Sequence, residues 1–161
     1  MKIKTQELTG VALDWVVAKC EGYEVGVITR EDMLSMQLAE ETDPVRIARV
    51  KDLFANADAA TPAFVFKDGW KSDSNSALAA KTGWGRMEFS TRWSQGGQII
   101  EREKINLAFN GDQWWASYDH PEHVVRERAA ACGNTPLIAA MRCYVASKLG
   151  DEVDIPEELL K

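Results

Sequence analysis

The sequence predicts an α+β domain, a small, mostly antiparallel sheet covered by helices and carrying an inserted helical segment. Three observations predict it. Two strong helical patterns carry start and stop residues, Thr9 with Gly22 and Thr135-Pro136 with Gly150. Asn110-Gly111 joins two runs that alternate with period two, the strongest short-range hairpin signal in the chain. Between the first helix and the hairpin lies a further helical pattern over 29–57.

The elements follow in order. Residues 9–22 form a helix whose wide apolar face holds Val11, Leu13, Trp15, Val16, Val17, Ala18 and Cys20. Residues 23–28, Tyr-Glu-Val-Gly-Val-Ile, read as a short strand. Thr29-Arg30-Glu31-Asp32 opens a helix marked by Met33, Leu34, Met36 and Leu38. Asp43-Pro44, a cap followed by proline at the first helical position, opens another that runs to about Asn56. Pro62 to Lys67 is a strand. Residues 68–85 are polar and Gly-rich, a loop length that is functional or mobile when it occurs in a compact domain. A helix over about Gln95–Glu103 is weakened by Gly96-Gly97. Ile105–Phe109 and Trp114–Tyr118 form the hairpin, Pro121–Ala131 reads as a helix, and Pro136–Leu149 is the strongest helix. Residues 151–161 are an acidic tail in which Val153 and Ile155 are placed to dock.

The 161 residues fit a single domain, 1–161, with 29–57 as a helical insertion. Lys and Arg number 19 against 25 Asp and Glu, for a formal charge of −6. That balance argues against a sequence-independent nucleic-acid binder, which needs a basic footprint. No apolar run approaches the roughly 18–20 residues of a membrane span, and Met1-Lys2-Ile3-Lys4-Thr5 opens no secretory signal. A cytoplasmic setting is expected. Cys20, Cys132 and Cys143 are odd in number and lack C-x-x-C spacing, so neither a disulfide framework nor a zinc knuckle is indicated; Cys20 and Cys143 read as small core residues. His120 and His123 have the spacing of a helical metal pair. Pro121 between them and the lack of further ligands nearby favour a solvated helix end, and no metal or cofactor is expected.

Two groups of residues could hold a ligand. Trp70, Trp84, Trp93, Trp114 and Trp115 lie near Gly-rich loops or in the hairpin, and indole faces stack on bases and cations. Adjacent Trp114 and Trp115 must point to opposite sheet faces, so one of them is core or covered by a helix or partner. The alternative for the whole group is a small core or an oligomer interface. The second group is Ser90, Thr91, Arg92 and Trp93 with Gln95. Hydroxyls and free N–H groups before a helix suit an anion, with Arg86 and Arg92 as phosphate partners, although Ser-Thr before a helix is first of all a cap. No nucleophile–base pair and no P-loop is present. The charge runs 101–104 and 126–128 read as solvated helix faces.

Three stretches, MKIKTQELTGVALDWVVAKCEG, STRWSQGGQIIERE and TPLIAAMRCYVASKLGDEVDIPEELL, cover somewhat over a third of the chain. They resemble the NinX-like family of lambdoid phages, and through it a wider group of short phage proteins described as an α-β-α sandwich. The family pattern has S-T-D-W where this chain has Ser90-Thr91-Arg92-Trp93, so an acidic residue there is replaced by the opposite charge. The stretch from about Glu24 to Glu88 departs from the pattern and reads as an insertion of this branch. The resemblance implies a phage accessory protein in the bacterial host cytoplasm; it does not imply an enzyme, and with no catalytic arrangement in the sequence none is expected. Two functions are expected from it and from the residues. The first is counter-defence capture of a small nucleotide-type ligand without chemistry, by Trp70, Trp84, Arg86, Ser90, Thr91, Arg92, Trp93 and Gln95 in a homo-oligomer with shared pockets. The alternative is a protein-interaction module that binds or inhibits a host protein; a small hydrolase or nuclease is disfavoured.

Overall fold

The computed structural model describes residues 1–23, 25–28, 34–35, 38–56, 63–66, 87–118 and 130–160. They form an α+β fold of helices and small antiparallel sheets. The chain divides into two compact units, Met1–Tyr23 with Arg86–Ile155, and Glu24–Gly85 with Pro156–Lys161.

The first unit begins with β1 (Lys2–Lys4), a 3-10 turn (Thr5–Glu7) and α1 (Gly10–Cys20). It continues with α3 (Trp93–Glu103), β4 (Ile105–Phe109), β5 (Trp114–Tyr118), β6 (Ala130–Gly133), α4 (Pro136–Leu149) and β7 (Glu152–Asp154). The second unit contains β2 (Val25–Ile28), α2 (Pro44–Asn56) and β3 (Ala63–Phe66). There β2 and β3 pair antiparallel, Val25 opposite Phe66 and Ile28 opposite Ala63. The Asp43-Pro44 signal works as predicted: Asp43 Oδ1 accepts from Val45 N at 2.9 Å and its carbonyl from Ile47 N at 2.9 Å.

Three strands form the main sheet of the first unit in the order β4-β5-β6. Asn110 closes the predicted hairpin, its side-chain oxygen accepting from Asp112 N at 3.0 Å and Gln113 N at 2.9 Å, while Gly111 takes a positive φ of 97°. Helix α4 packs against all three strands and also against α1 and α3. Thr135 Oγ1 caps α4 by accepting from Ile138 N at 3.2 Å, and Pro136 fills its first turn. Leu13, Val16 and Val17 of α1, Ile99 of α3, Ala116 of β5 and Met141, Cys143 and Val145 of α4 are buried together with Phe89. No helix among the described residues is long and apolar enough to cross a membrane.

Four local expectations are corrected. The helix expected over 121–131 gives way at its end to β6; residues 119–129 lie outside the described residues. Ala130 and Ala131 have helical propensity, but pairing with Ser117 and Ala116 wins, because strand formation depends more on neighbours than on intrinsic preference. Glu152–Asp154, read as tail, is β7, and it pairs with β1 so that Ile3 faces Val153. Cys20 is half-exposed rather than core, being the last residue of α1; Cys143 is buried. Helix α3 starts two residues earlier than expected and tolerates both of its glycines. The helix expected from Thr29 falls mostly outside the described residues.

The two glycines of α3 differ in kind. A Cβ on Gly96 would collide with the Phe89 carbonyl oxygen and come within 2.8 Å of Leu137 Cδ2. A Cβ on Gly97 would meet only Trp93 Cε3 at 3.3 Å, on an indole that is 56% exposed and free to shift. Gly96→Ala is therefore expected to lower the unfolding free energy by about 1–3 kcal/mol, as overpacking against backbone does. Gly97→Ala should leave it unchanged or raise it by up to about 1 kcal/mol through helix propensity. Urea unfolding of the two variants checks the contrast; equal loss in both would contradict the packing described.

Candidate functional site at the Ser90 turn and the hairpin

Met87 to Arg92 form a turn that delivers the chain into α3. Its shape comes from backbone bonds to Glu88: Thr91 N and Arg92 N donate to the Glu88 carbonyl at 3.2 and 2.7 Å. Glu88 N donates in turn to Gln95 Oε1 at 2.8 Å, which fixes the buried Gln95 side chain beneath the turn. Arg92 forms an ion pair with Glu88 on the outer side. At the centre is a buried pair from distant parts of the sequence, Ser90 N donating to Asp14 Oδ1 at 2.7 Å.

Asp14 lies in α1, only 5% exposed. Burial pushes its carboxyl up to about 7, with the N–H and hydroxyl of Ser90 acting in the opposite direction and the charge of Glu88 adding to the rise. A carboxyl poised near neutrality in an apolar setting can hold or release a proton, and perturbed groups of this kind concentrate at functional sites as well as in structural networks. Sequence reasoning missed Asp14. The signal was an acidic residue inside the apolar run Leu13-Asp14-Trp15-Val16-Val17 on a helix face wide enough to be buried.

The predicted ligand residues separate into three sets. Ser90 and Gln95 are buried, with the Ser90 N–H and the Gln95 side-chain oxygen bonded inside the protein. Thr91, Arg92 and Trp93 are exposed side by side at the start of α3. Trp70, Trp84 and Arg86 lie outside the described residues, as do His120 and His123. The backbone N–H groups of Ser90, Thr91, Arg92, Gln95 and Gly96 are already engaged, the last two with the Arg92 carbonyl at 3.0 and 2.9 Å. Among the described residues no group of three or more His, Cys, Asp or Glu could hold a metal ion.

The hairpin brings a second set of exposed aromatics. Trp114 and Trp115 do point to opposite faces. Trp114 shares the α4 side with buried Ala116 and leans on its cross-strand neighbour Phe109, ring centroids 5.4 Å apart. Trp115, 43% exposed, stands on the outer face opposite Ala108 on one side and Cys132 on the other. The alternation places Asn106, Ala108, Ser117, Ala130 and Cys132 on that same face. None is buried and none is charged.

A third polar cluster gathers where α1, α3, α4 and β5 end. Arg102 grips Glu21 through both guanidinium nitrogens at 3.0 and 2.6 Å. Tyr144 Oη donates to Glu21 at 2.6 Å, Tyr118 Oη to Glu103 at 3.0 Å, and Lys148 reaches Glu103 at 3.5 Å. Burial raises Glu21 and Glu103, but the bonds from Arg102 and the tyrosines bring both below the usual carboxylate range. Desolvation, reinforced by those carboxylates, pushes both phenols up, so the tyrosines remain donors. The network's chemistry is balanced within itself and clamps helix ends.

The family model described as Bacteriophage P22, NinX matches residues 4–148, a range that runs through 24–88 and most of both units. No curated protein matches the chain.

The Asp14 carboxyl has a readable consequence. Its folded pKa, about 7, lies above the ordinary value of 3.8, so between those limits the folded state holds the proton more tightly. Stability from this group is therefore full below about pH 4 and is lost as pH rises towards 7, at up to about 1.4 kcal/mol per pH unit. Asp14→Asn keeps an oxygen for Ser90 N–H and cannot ionise. Relative to the native chain its stability should climb across that interval, measured by urea unfolding at a series of pH values; a constant difference would contradict the shift.

Proposed function

The chain belongs to the bacteriophage P22 NinX family, and from that premise we propose that it is a non-catalytic phage accessory protein that captures a host protein on the outer face of its β4-β5-β6 sheet. The observation that carries this reading is the composition of that face. In a chain with 27% charged residues, the five facing positions around Trp115 hold no charge at all. Depletion of charge around an aromatic anchor is the mark of an interface core, and indole is among the commonest hot-spot groups.

A second reading, capture of a small nucleotide-type ligand in counter-defence, is supported by Trp93. Its indole is largely exposed at the start of α3, and the next residue towards the N-terminus, Arg92, is exposed too. An indole and a guanidinium side by side offer a stacking surface and a phosphate partner. Arg92 would have to exchange Glu88 for the phosphate.

Affinity capture from bacterial lysate tests the first reading. The native chain should enrich a host protein, Trp115→Ser should weaken the complex by about 2 kcal/mol or more as loss of an aromatic hot spot does, and Trp93→Ala should leave it intact. Equal recovery by native and Trp115→Ser chains would remove the support. Calorimetric titration with cyclic di- and trinucleotides and ADP-ribose derivatives tests the second. Binding heat that falls by about 1–3 kcal/mol in affinity in Trp93→Ala, the worth of one stacked base, is its expected sign, and silence across the panel would count against it.

A further inference from the structure

We propose that two copies of this chain pair through β4, edge to edge and antiparallel, so that their three-stranded sheets become one continuous sheet. The two edges of the sheet are treated differently. At β6 the side chain of Gln6 stands in for a strand: its Nε2 donates to the Ala130 carbonyl at 3.1 Å and its Oε1 accepts from Cys132 N at 3.2 Å. Arg142 Nη1 takes the Cys132 carbonyl at 2.7 Å. That edge is closed by side chains. Among the described residues no strand pairs with the far side of β4.

The usual protections of a free edge are missing from β4. It has no proline and no charged residue, and its ladder with β5 runs without a bulge from Ile105 opposite Tyr118 to Phe109 opposite Trp114. Four of its five residues are not buried. A strand of this kind invites another strand unless one is already provided for.

The sequence Ile-Asn-Leu-Ala-Phe also matches itself in reverse. A two-fold axis at Leu107 sets Ile105 against Phe109 of the partner subunit, Asn106 against Ala108 of the partner subunit, and Leu107 against Leu107 of the partner subunit. Apolar residues then meet apolar residues on the α4 side, and small uncharged residues meet on the outer side, the cross-strand pairs that stabilise a ladder. Charge selects the same place. Each copy carries −6, so approach of two copies is opposed wherever acids face one another. The uncharged strand is a stretch at which they can meet without that opposition. The symmetry is that of an isologous dimer. The paired edge leaves Trp115 and its face open, so this assembly is separate from the host-protein reading.

Sedimentation equilibrium of the full chain should give twice the monomer mass. Leu107→Lys sets two ammonium groups at the axis and should give the monomer, whereas Leu107→Met should keep the dimer. Because Leu107→Lys could also disturb the fold, a second measurement is independent of it. Asn106→Cys chains mixed with Ala108→Cys chains should form a disulfide on mild oxidation, mapped to those positions, faster than either variant alone. A native chain that sediments as a monomer would overturn the proposal. So would a dimer in which the mixed chains fail to cross-link at those positions.

Discussion

Everything in the first unit depends on burying α4 on all sides. From Pro136 to Ala146 no residue of this helix is fully exposed: Pro136, Ile138, Arg142 and Ala146 are half-buried and the rest buried, and the helix opens to solvent only in its last turn, Ser147 to Leu149. A helix with apolar residues around its circumference cannot lie on a surface, so the sheet, α1 and α3 must all pack against it. The same demand explains the small residues at the contacts. Gly133 admits α4 so closely that a Cβ there would come within 2.7 Å of Ala139 N. It also explains Arg142, whose guanidinium satisfies the carbonyls of Leu8 at 2.8 Å and Cys132 at 2.7 Å, neither of which has a helix or strand partner in that direction. Partial burial lowers its pKa, yet it supplies the donors that two stranded carbonyls need.

The far end of the unit solves the complementary problem. There α1 and α3 finish, and helix C-termini carry partial negative charge. Glu21 and Glu103 add to that charge, and Arg102 and Lys148 offset it. Two phenols complete the hydrogen bonding. The arrangement joins three helices through side chains at one end while apolar packing joins them along their lengths. Asp14, by contrast, is a buried carboxyl for which desolvation outweighs the hydrogen bonds it receives from Ser90 and Phe89, and its raised proton affinity follows from that.

The parts of the fold legible in the sequence are those specified locally. Gly22, Asp43-Pro44, Thr135-Pro136 with Gly150 and Asn110-Gly111 each encode a backbone event within a few residues, and the end of α1, α2, α4 and the hairpin follow from them; Thr9 stands at the start of α1 but its side chain makes no cap bond there. The parts that were hidden are specified at a distance. A three-residue strand such as β1 or β7 shows no usable periodicity, and its partner lies at the opposite end of the sequence. Residues 130–131 look helical until the neighbouring strand is known. The same division holds at the surface. The sequence shows that Trp114 and Trp115 diverge, but it does not show that five uncharged neighbours from three strands surround one of them. Ser90 looked like a helix cap or an anion donor because its true neighbour, Asp14, comes from α1.

The pairing of β1 with β7 bears on the order of events during synthesis. Lys2–Lys4 leave the ribosome well before Glu152–Asp154 and find their hydrogen-bonding partners only when those residues follow. Helix α1 likewise waits for α4. Until then its apolar face, Trp15 included, has no permanent cover, and contacts so far apart in sequence form slowly. Translation of more than a hundred residues separates the end of α1 from the start of α4. During that interval the nascent chain is at its most exposed to chaperones and proteases, and the closing of a three-residue ladder marks its end.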